Sequence, residues 1–313
     1  MDMMLPQLPF ESRFCSAVDG LKLHVRDYGS ALDPGIPAIC LPGLTRTSAD
    51  FGPVASALAA GLNGIKRRVL ALDYRGRGLS EYDRNWSNYR LDVENRDVLS
   101  VLAAFEINAA IFIGTSRGGL HTMLLSGTRP AVLRGAVLND IGPVVEPRGM
   151  ARICGYVGKL PVPHSIADAV GLLKETMSEQ FNGLSGEDWE AYARMTFADA
   201  VGRMGLRYDR RLMKTLENLD LEQPLPTFWP QFDGLRAVPL LILRGANSDL
   251  LSAATLKEMA ARHPGAKIHT INGQGHAPLL LDRETITRIC GFVAEAEGAA
   301  RRHLPSSAAM LRN

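Results

Sequence analysis

The stretch AAIFIGTSRGGLHTMLL, residues 109–125, decides how the rest of the chain is read. Small and β-branched residues run up to Gly114-Thr115-Ser116-Arg117-Gly118, and an apolar pattern at helical spacing starts at once behind them. This G-x-S-x-G order suits a sharp strand-to-helix turn that projects the Ser116 hydroxyl. Glycines two residues to either side remove the Cβ atoms that would collide in so crowded a bend. The helix that follows aims its unsatisfied N–H groups and positive dipole end at whatever is bound to Ser116.

Working outward, FCSAV and LKLHVRDYG flank Asp19-Gly20, a hairpin signal that predicts an antiparallel pair at one sheet edge. AICLPG, RVLALDYRG, AIFIGTS, GAVLND, PLLILRG and KIHTING are nearly continuous apolar runs ending in turn residues, as strands buried on both faces are. Helical patterns alternate with them (FGPVASALAAGL, NYRLDVENRDVLSVLAAF, GGLHTMLLSG, AATLKEMAARH), so the class is α/β. The expectation is a mostly parallel eight-stranded sheet flanked by helices. Between Asp140 and Val238 the rhythm breaks. Amphipathic stretches there (GMARICGYVGKL, SIADAVGLLKETM, GEDWEAYARMTFADAVG, DRRLMKTLENL) predict a helical cap without strands. The predicted organisation is core 1–141, cap 142–232, core 233–298 and a flexible tail 299–313.

A formal net charge of +2, with no basic stripe, gives no reason to expect a nucleic-acid partner. The four cysteines (Cys15, Cys40, Cys154, Cys290) have no metal-ligand spacing and read as free thiols. Neither a secretory start nor a membrane-length apolar run is present, so the expected location is the cytoplasm, with no membrane partner. No dinucleotide, Walker or zinc motif occurs, and the expectation is no cofactor and no metal.

With these motifs in place, the chain resembles the cap-containing serine hydrolases of the α/β-hydrolase fold, on the carboxylesterase-like side. The resemblance covers nearly all of it except the cap and the two ends. LPGLTRTSADF resembles the family's oxyanion loop, LDYRGRGLSEYD its Asp-x-Arg-Gly-x-Gly turn, LILRGANSDLL its acid loop and INGQGHAPLL its histidine loop. The fold's chain order of serine, acid, histidine implies Ser116 as nucleophile and His276 as base. His263 ends a helical pattern, His269 lies in a strand and His303 in the tail. Asp249 is read as the acid, with Asp140, at the end of the strand before the cap, as the alternative. The implied oxyanion donors are the backbone N–H groups of Leu44 and Arg117, although Pro42 stands where relatives commonly carry histidine. Asp73 reads as the cap of its glycine turn and His121 as a packed residue. A cation at a helix start needs a compensating charge, and Asp140 is the expected partner of Arg117, a substrate carboxylate being the alternative. Trp229 is the expected wall of the acyl pocket, and most of the cap methionines (Met150, Met177, Met195, Met204, Met213) are expected in the cap core. The implied activity is hydrolysis of a small-molecule carboxylic ester through an acyl-enzyme. Carbon–carbon hydrolysis of ring-cleavage products stands as the first alternative, then lactone, thioester or perhydrolase chemistry, and last a silent ligand-binding member.

Overall fold

The computed structural model describes residues 5–200, 203–217 and 219–302. Its elements in chain order are β1 (Glu11–Ser16), β2 (Lys22–Tyr28), β3 (Ala38–Leu41), α1 (Gly52–Ala60), β4 (Val69–Asp73), α2 (Leu91–Ala104), β5 (Ala110–Thr115), α3 (Arg117–Thr128) and β6 (Leu133–Asn139). There follow α4 (Pro147–Tyr156), α5 (Ile166–Met177), α6 (Gly186–Thr196), β7 (Phe197–Ala200), β8 (Arg203–Leu206) and α7 (Trp229–Asp233). The chain then returns through β9 (Leu240–Gly245), α8 (Ala253–Arg262), β10 (Lys267–Ile271) and α9 (Arg283–Arg302).

Eight strands form one sheet in the order β1-β2-β4-β3-β5-β6-β9-β10. β1 and β2 form the expected antiparallel hairpin, β2 also runs antiparallel to β4, and the remaining pairs are parallel. Strand side chains alternate between two buried layers. Ile39, Phe112 and Ile242 join α2, α3, α7 and α8 on one face, while Cys40, Ile111 and Leu243 join α1 and α9 on the other. That double burial is why these strands read as continuous apolar runs instead of alternating ones. Cys40 and Cys290 are buried and Cys15 and Cys154 half-buried, all four as free thiols. No helix among the described residues is long and apolar enough to cross a membrane.

The segment between β6 and β9 packs its own small core from Leu173, Met177, Phe181, Trp189, Tyr192 and Met204. Two expectations fail there. The helix read through GEDWEAYARMTFADAVG stops at Thr196, and Phe197–Ala200 pairs antiparallel with Arg203–Leu206 as β7 and β8. A β-branched threonine followed by phenylalanine favours strand over helix at this point. DRRLMKTLENL winds only as a 3-10 turn over Arg210–Thr215. Helix α9 carries through 299–302, the start of the stretch expected to be a flexible tail; the remainder of that stretch, with His303, lies outside the described residues.

The connections leaving β3 and β5 run in opposite directions along the sheet, to β4 and to β6, so the winding reverses between these two neighbouring strands and opens a crevice above their carboxyl ends. Close packing at the β5–α3 corner aims Ser116 into it. A Cβ on Gly118 would lie 1.9 Å from the Leu41 carbonyl oxygen of β3, and one on Gly114 would lie 2.4 Å from the backbone of Gly118. Gly119 extends the same demand, because its Cβ would meet Ile141 at 2.2 Å. The obstacles at Gly114 and Gly118 are backbone atoms, so no rotamer change relieves them. Gly118→Ala is therefore expected to destabilise the fold by on the order of 3 kcal/mol. Urea denaturation measures this, and an unchanged midpoint would show that α3 can lift from β3 at no cost.

Candidate active site

Ser116 sits between β5 and α3 with φ 50° and ψ −113°, a strained conformation for a residue with a side chain. Its amide is anchored to the Asn139 carbonyl at 3.0 Å. His276 comes from the loop after β10, and its Nε2 lies 2.9 Å from Ser116 Oγ. The cap shares in holding that loop, since Gln180 Oε1 accepts the His276 N–H at 3.1 Å. From the core, the Asn139 amide donates to the Pro278 carbonyl at 2.9 Å.

The carboxylate at His276 is Asp140, and the expectation of Asp249 there does not hold. Asp140 Oδ2 lies 2.8 Å from His276 Nδ1 and accepts from Ser248 Oγ at 2.6 Å, while Oδ1 accepts the Gly245 N–H at 2.8 Å. The residue is fully buried. Its left-handed backbone, φ 54°, bends the chain at the end of β6, where the carboxylate reaches the tip of β9 and the histidine loop. Asp249 lies in the following turn and is held by the cap. Arg152 of α4 grips it with two hydrogen bonds, Nε at 2.7 Å and Nη2 at 2.8 Å. Burial would raise the Asp249 carboxyl, but Arg152, helped by His276, holds it below the ordinary range. Asp249 thus acts as a latch between cap and core.

Arg117 is the first residue of α3, so its backbone N–H has no acceptor within the helix. Leu44, in the loop after β3, lines the same cleft as Ser116. The Arg117 side chain does not pair with Asp140. It turns away to Glu94 of α2, with Nε donating to Glu94 Oε2 and Nη2 to the Tyr89 carbonyl at 3.3 Å. Arg77, from the glycine turn, holds the other oxygen of Glu94. Burial works against ionisation of Glu94, yet the two guanidinium groups keep its carboxyl far below the usual range. His121 is fully buried beside the same carboxylate at 3.4 Å, and burial lowers its pKa.

The cleft over Ser116 is small, a cavity of about 60 Å³. Its walls are Ile153, Tyr156 and Val157 from the cap and Leu279 and Leu280 beside His276. Tyr192 and Arg46 also line it, with the Arg46 guanidinium over the Tyr192 ring at 5.0 Å. Arg46 is occupied by Asp50, at 2.6 and 3.0 Å, and by Thr196 of the cap at 2.7 Å. Trp229 is not among the lining residues. It packs edge-to-face on Phe232 at 5.9 Å, with the Arg262 guanidinium over its ring at 4.2 Å. The aromatic cluster around it anchors the chain's return to the sheet.

A second serine–histidine–aspartate chain occurs at the sheet edge, and sequence reading misses it. Ser12 Oγ lies 2.6 Å from His24 Nε2, and His24 Nδ1 lies 2.7 Å from Asp73 Oδ2. Its surroundings differ in kind. Ser12 stands on the extended strand β1, outside the cleft. Asp73 is committed to the Ser48 and Leu79 amides at 2.6 and 3.0 Å, as the cap of its glycine turn. The pairing of β2 with β1 on one side and with β4 on the other, His24 standing opposite Asp73, brings these residues together, a register that no local motif announces.

Comparison with known proteins agrees with the architecture. Residues 38–288 match the alpha/beta hydrolase family. The chain is 31% identical over 278 residues to the 3-hydroxybutyrate-oligomer hydrolase of Cupriavidus necator, covering 86% of this chain and 92% of that protein. It is 28% identical over 254 residues to the sn-1-specific diacylglycerol lipase ABHD11 of Mus musculus, covering 78% and 76%. Among solved structures, an alpha/beta hydrolase from Novosphingobium aromaticivorans superposes with a TM-score of 0.83 at 37% identity, over 92% of this chain and 99% of that one. With the family matched from β3 into α9, and relatives that are a hydrolase and a lipase, the chain is a hydrolase and belongs to the alpha/beta hydrolase family.

Proposed function

We propose that the protein hydrolyses carboxylic esters of short acyl groups through an acyl-enzyme on Ser116. The observation that carries this reading is the unbroken hydrogen-bond chain Ser116–His276–Asp140 at the floor of the cleft. A serine hydroxyl is a weak nucleophile until a base takes its proton, and the base must be fixed in one tautomer. Asp140 accepts the Nδ1–H of His276, which leaves Nε2 free to receive the Ser116 proton. Oγ then attacks the ester carbonyl, and the oxyanion is held by the backbone N–H groups of Leu44 and Arg117. The alcohol leaves with the proton from His276, and water repeats the two steps to release the acid and restore the serine.

The cavity is well below the ~300–1,000 Å³ of sites for drug-sized ligands, which favours a short acyl chain. Tyr156 and Tyr192 line it, and burial pushes both phenols above their ordinary pKa. They are suited to donate to a hydroxyl or ester oxygen on the acyl group. The Cupriavidus relative acts on 3-hydroxybutyrate oligomers, and a 3-hydroxybutyryl unit is short and carries such an oxygen. Oligomers of short hydroxy acids are the substrate class we assign, with one unit in the acyl pocket and the leaving alcohol on the open side.

Hydrolysis of p-nitrophenyl esters from C2 to C12 is expected to peak at C2–C4, and Ser116→Ala to abolish it. Turnover of carbon–carbon substrates with none of esters would overturn the ester reading. Asp140→Asn is expected to lower kcat by roughly 10³–10⁴-fold. Asp249→Asn is expected to leave kcat within about fivefold and to act mainly on KM and thermal stability, since it releases one cap latch. Equal losses in the two variants would return the acid's role to Asp249. A fluorophosphonate probe is expected to label the wild type once and Ser116→Ala not at all; labelling of Ser12 in that variant would show a second reactive serine.

A further inference from the structure

The two backbone donors assigned to the oxyanion belong to separate segments, and one buried side chain connects them. Glu94 of α2 is fully buried, and its two oxygens face different arginines. Oε2 receives Nε of Arg117, whose own backbone N–H is one donor. Oε1 receives Nη1 of Arg77 at 2.5 Å. The same Arg77 donates from Nε to the Leu44 carbonyl at 2.9 Å and from Nη1 to the Arg75 carbonyl at 2.7 Å. Leu44 carries the other donor. A single path therefore runs from the Leu44 backbone through Arg77, Glu94 and Arg117 to the start of α3.

We propose that Glu94 is a positioning residue that sets the spacing of the two oxyanion donors, holding Leu44 through Arg77 and the α3 N-terminus through Arg117. The proposal rests on the ester-hydrolase reading and deepens it. Two guanidinium groups converge on the fully buried carboxylate of Glu94, and they repel each other once that carboxylate loses its charge. Arg77 is then driven from its place under Leu44, and the loop bearing that N–H is released. Arg117 loses the contact that turns its side chain away from the cleft. Neither group touches substrate in this arrangement, so the effect falls on stabilisation of the tetrahedral intermediate and leaves ground-state binding alone.

The test is Glu94→Gln, which keeps size and shape but loses the charge and presents an N–H to one of the arginines. Turnover is counted per active site by phosphonate titration, so loss of folded protein does not enter. We expect kcat per site to fall at least about tenfold with KM within about threefold. Affinity for a boronic acid that forms a tetrahedral adduct on Ser116 is expected to fall in proportion to kcat. Arg77→Lys, which cannot reach Glu94 and the Leu44 carbonyl together, is expected to fall between wild type and Glu94→Gln. Unchanged kcat per titrated site, or a loss of kcat with boronate affinity intact, would overturn the proposal. If Glu94→Gln fails to fold, Arg117→Gln replaces it with the same readouts and the same expected losses, its side chain being partly exposed. Wild-type ester turnover and boronate binding are measured first; their absence would refute the ester reading, whereas their presence beside an unaffected variant would refute only the role of Glu94.

Discussion

Everything at the site depends on how closely α3 approaches the sheet. Gly118 lies so near the β3 carbonyl that no side chain fits between them, and that proximity fixes where Ser116 stands relative to the loop leaving β3. Because β3 and β5 are neighbours in the sheet, with Leu41 opposite Gly114, the loop bearing Leu44 and the first turn of α3 leave the sheet side by side, and Leu44 and Ser116 line one cleft. The strain at Ser116 is sustained by this packing, in which elements on both sides leave the chain no relaxed alternative. Sheet order then supplies the remaining parts. β6 lies beside β5, and β9 and β10 follow, so the acid and the histidine arrive from the adjacent strand ends.

Much of this is legible in the sequence because the signals are local. A serine flanked by glycines between an apolar run and a helical pattern specifies a bend whatever surrounds it, and the histidine loop is marked by its glycines. The carboxylate is not legible in the same way. Asp140 and Asp249 both follow strands, both precede His276, and both fit the required chain order. What separates them is side-chain direction: a left-handed backbone at Asp140 sends its carboxylate inward, and an arginine contributed by the cap draws Asp249 away. Neither fact can be read from residues near either aspartate.

The partner of Arg117 escapes sequence reading for a related reason. DVENRD in α2 is polar at every position but one, yet Glu94, Asn95 and Asp97 are buried. Arg75 and Arg77 of the glycine turn enter that helix face, Arg75 meeting Asp97 at 2.6 Å and Arg77 meeting Glu94. Polar residues on a helix mark solvent only when no opposite charge lies across from them. In DYRGRG and DVENRD the chain carries complementary halves of one buried cluster, a pattern visible only when the two segments are considered together. The β7–β8 pair is hidden because the helical pattern of α6 continues past the point where threonine and phenylalanine turn it into strand.

Charge around the cleft bears on what the cleft can recognise. Arg46 is taken by Asp50, Arg152 by Asp249, Arg117 by Glu94, and Asp140 by His276. Among the described residues, each of these cations near the reacting centre is spent on a carboxylate of the protein. An anionic group entering the acyl pocket would lose its hydration and find these arginines already committed, a cost of several kcal/mol for a buried ion. Ring-cleavage products are carboxylic acids, so a pocket built for them needs a free cation beside the nucleophile. A neutral acyl group with one hydroxyl or ester oxygen incurs no such cost and finds two phenols able to donate to it. The charge pairing therefore weighs toward neutral esters, and toward recognition by cavity size and the hydroxyls of Tyr156 and Tyr192.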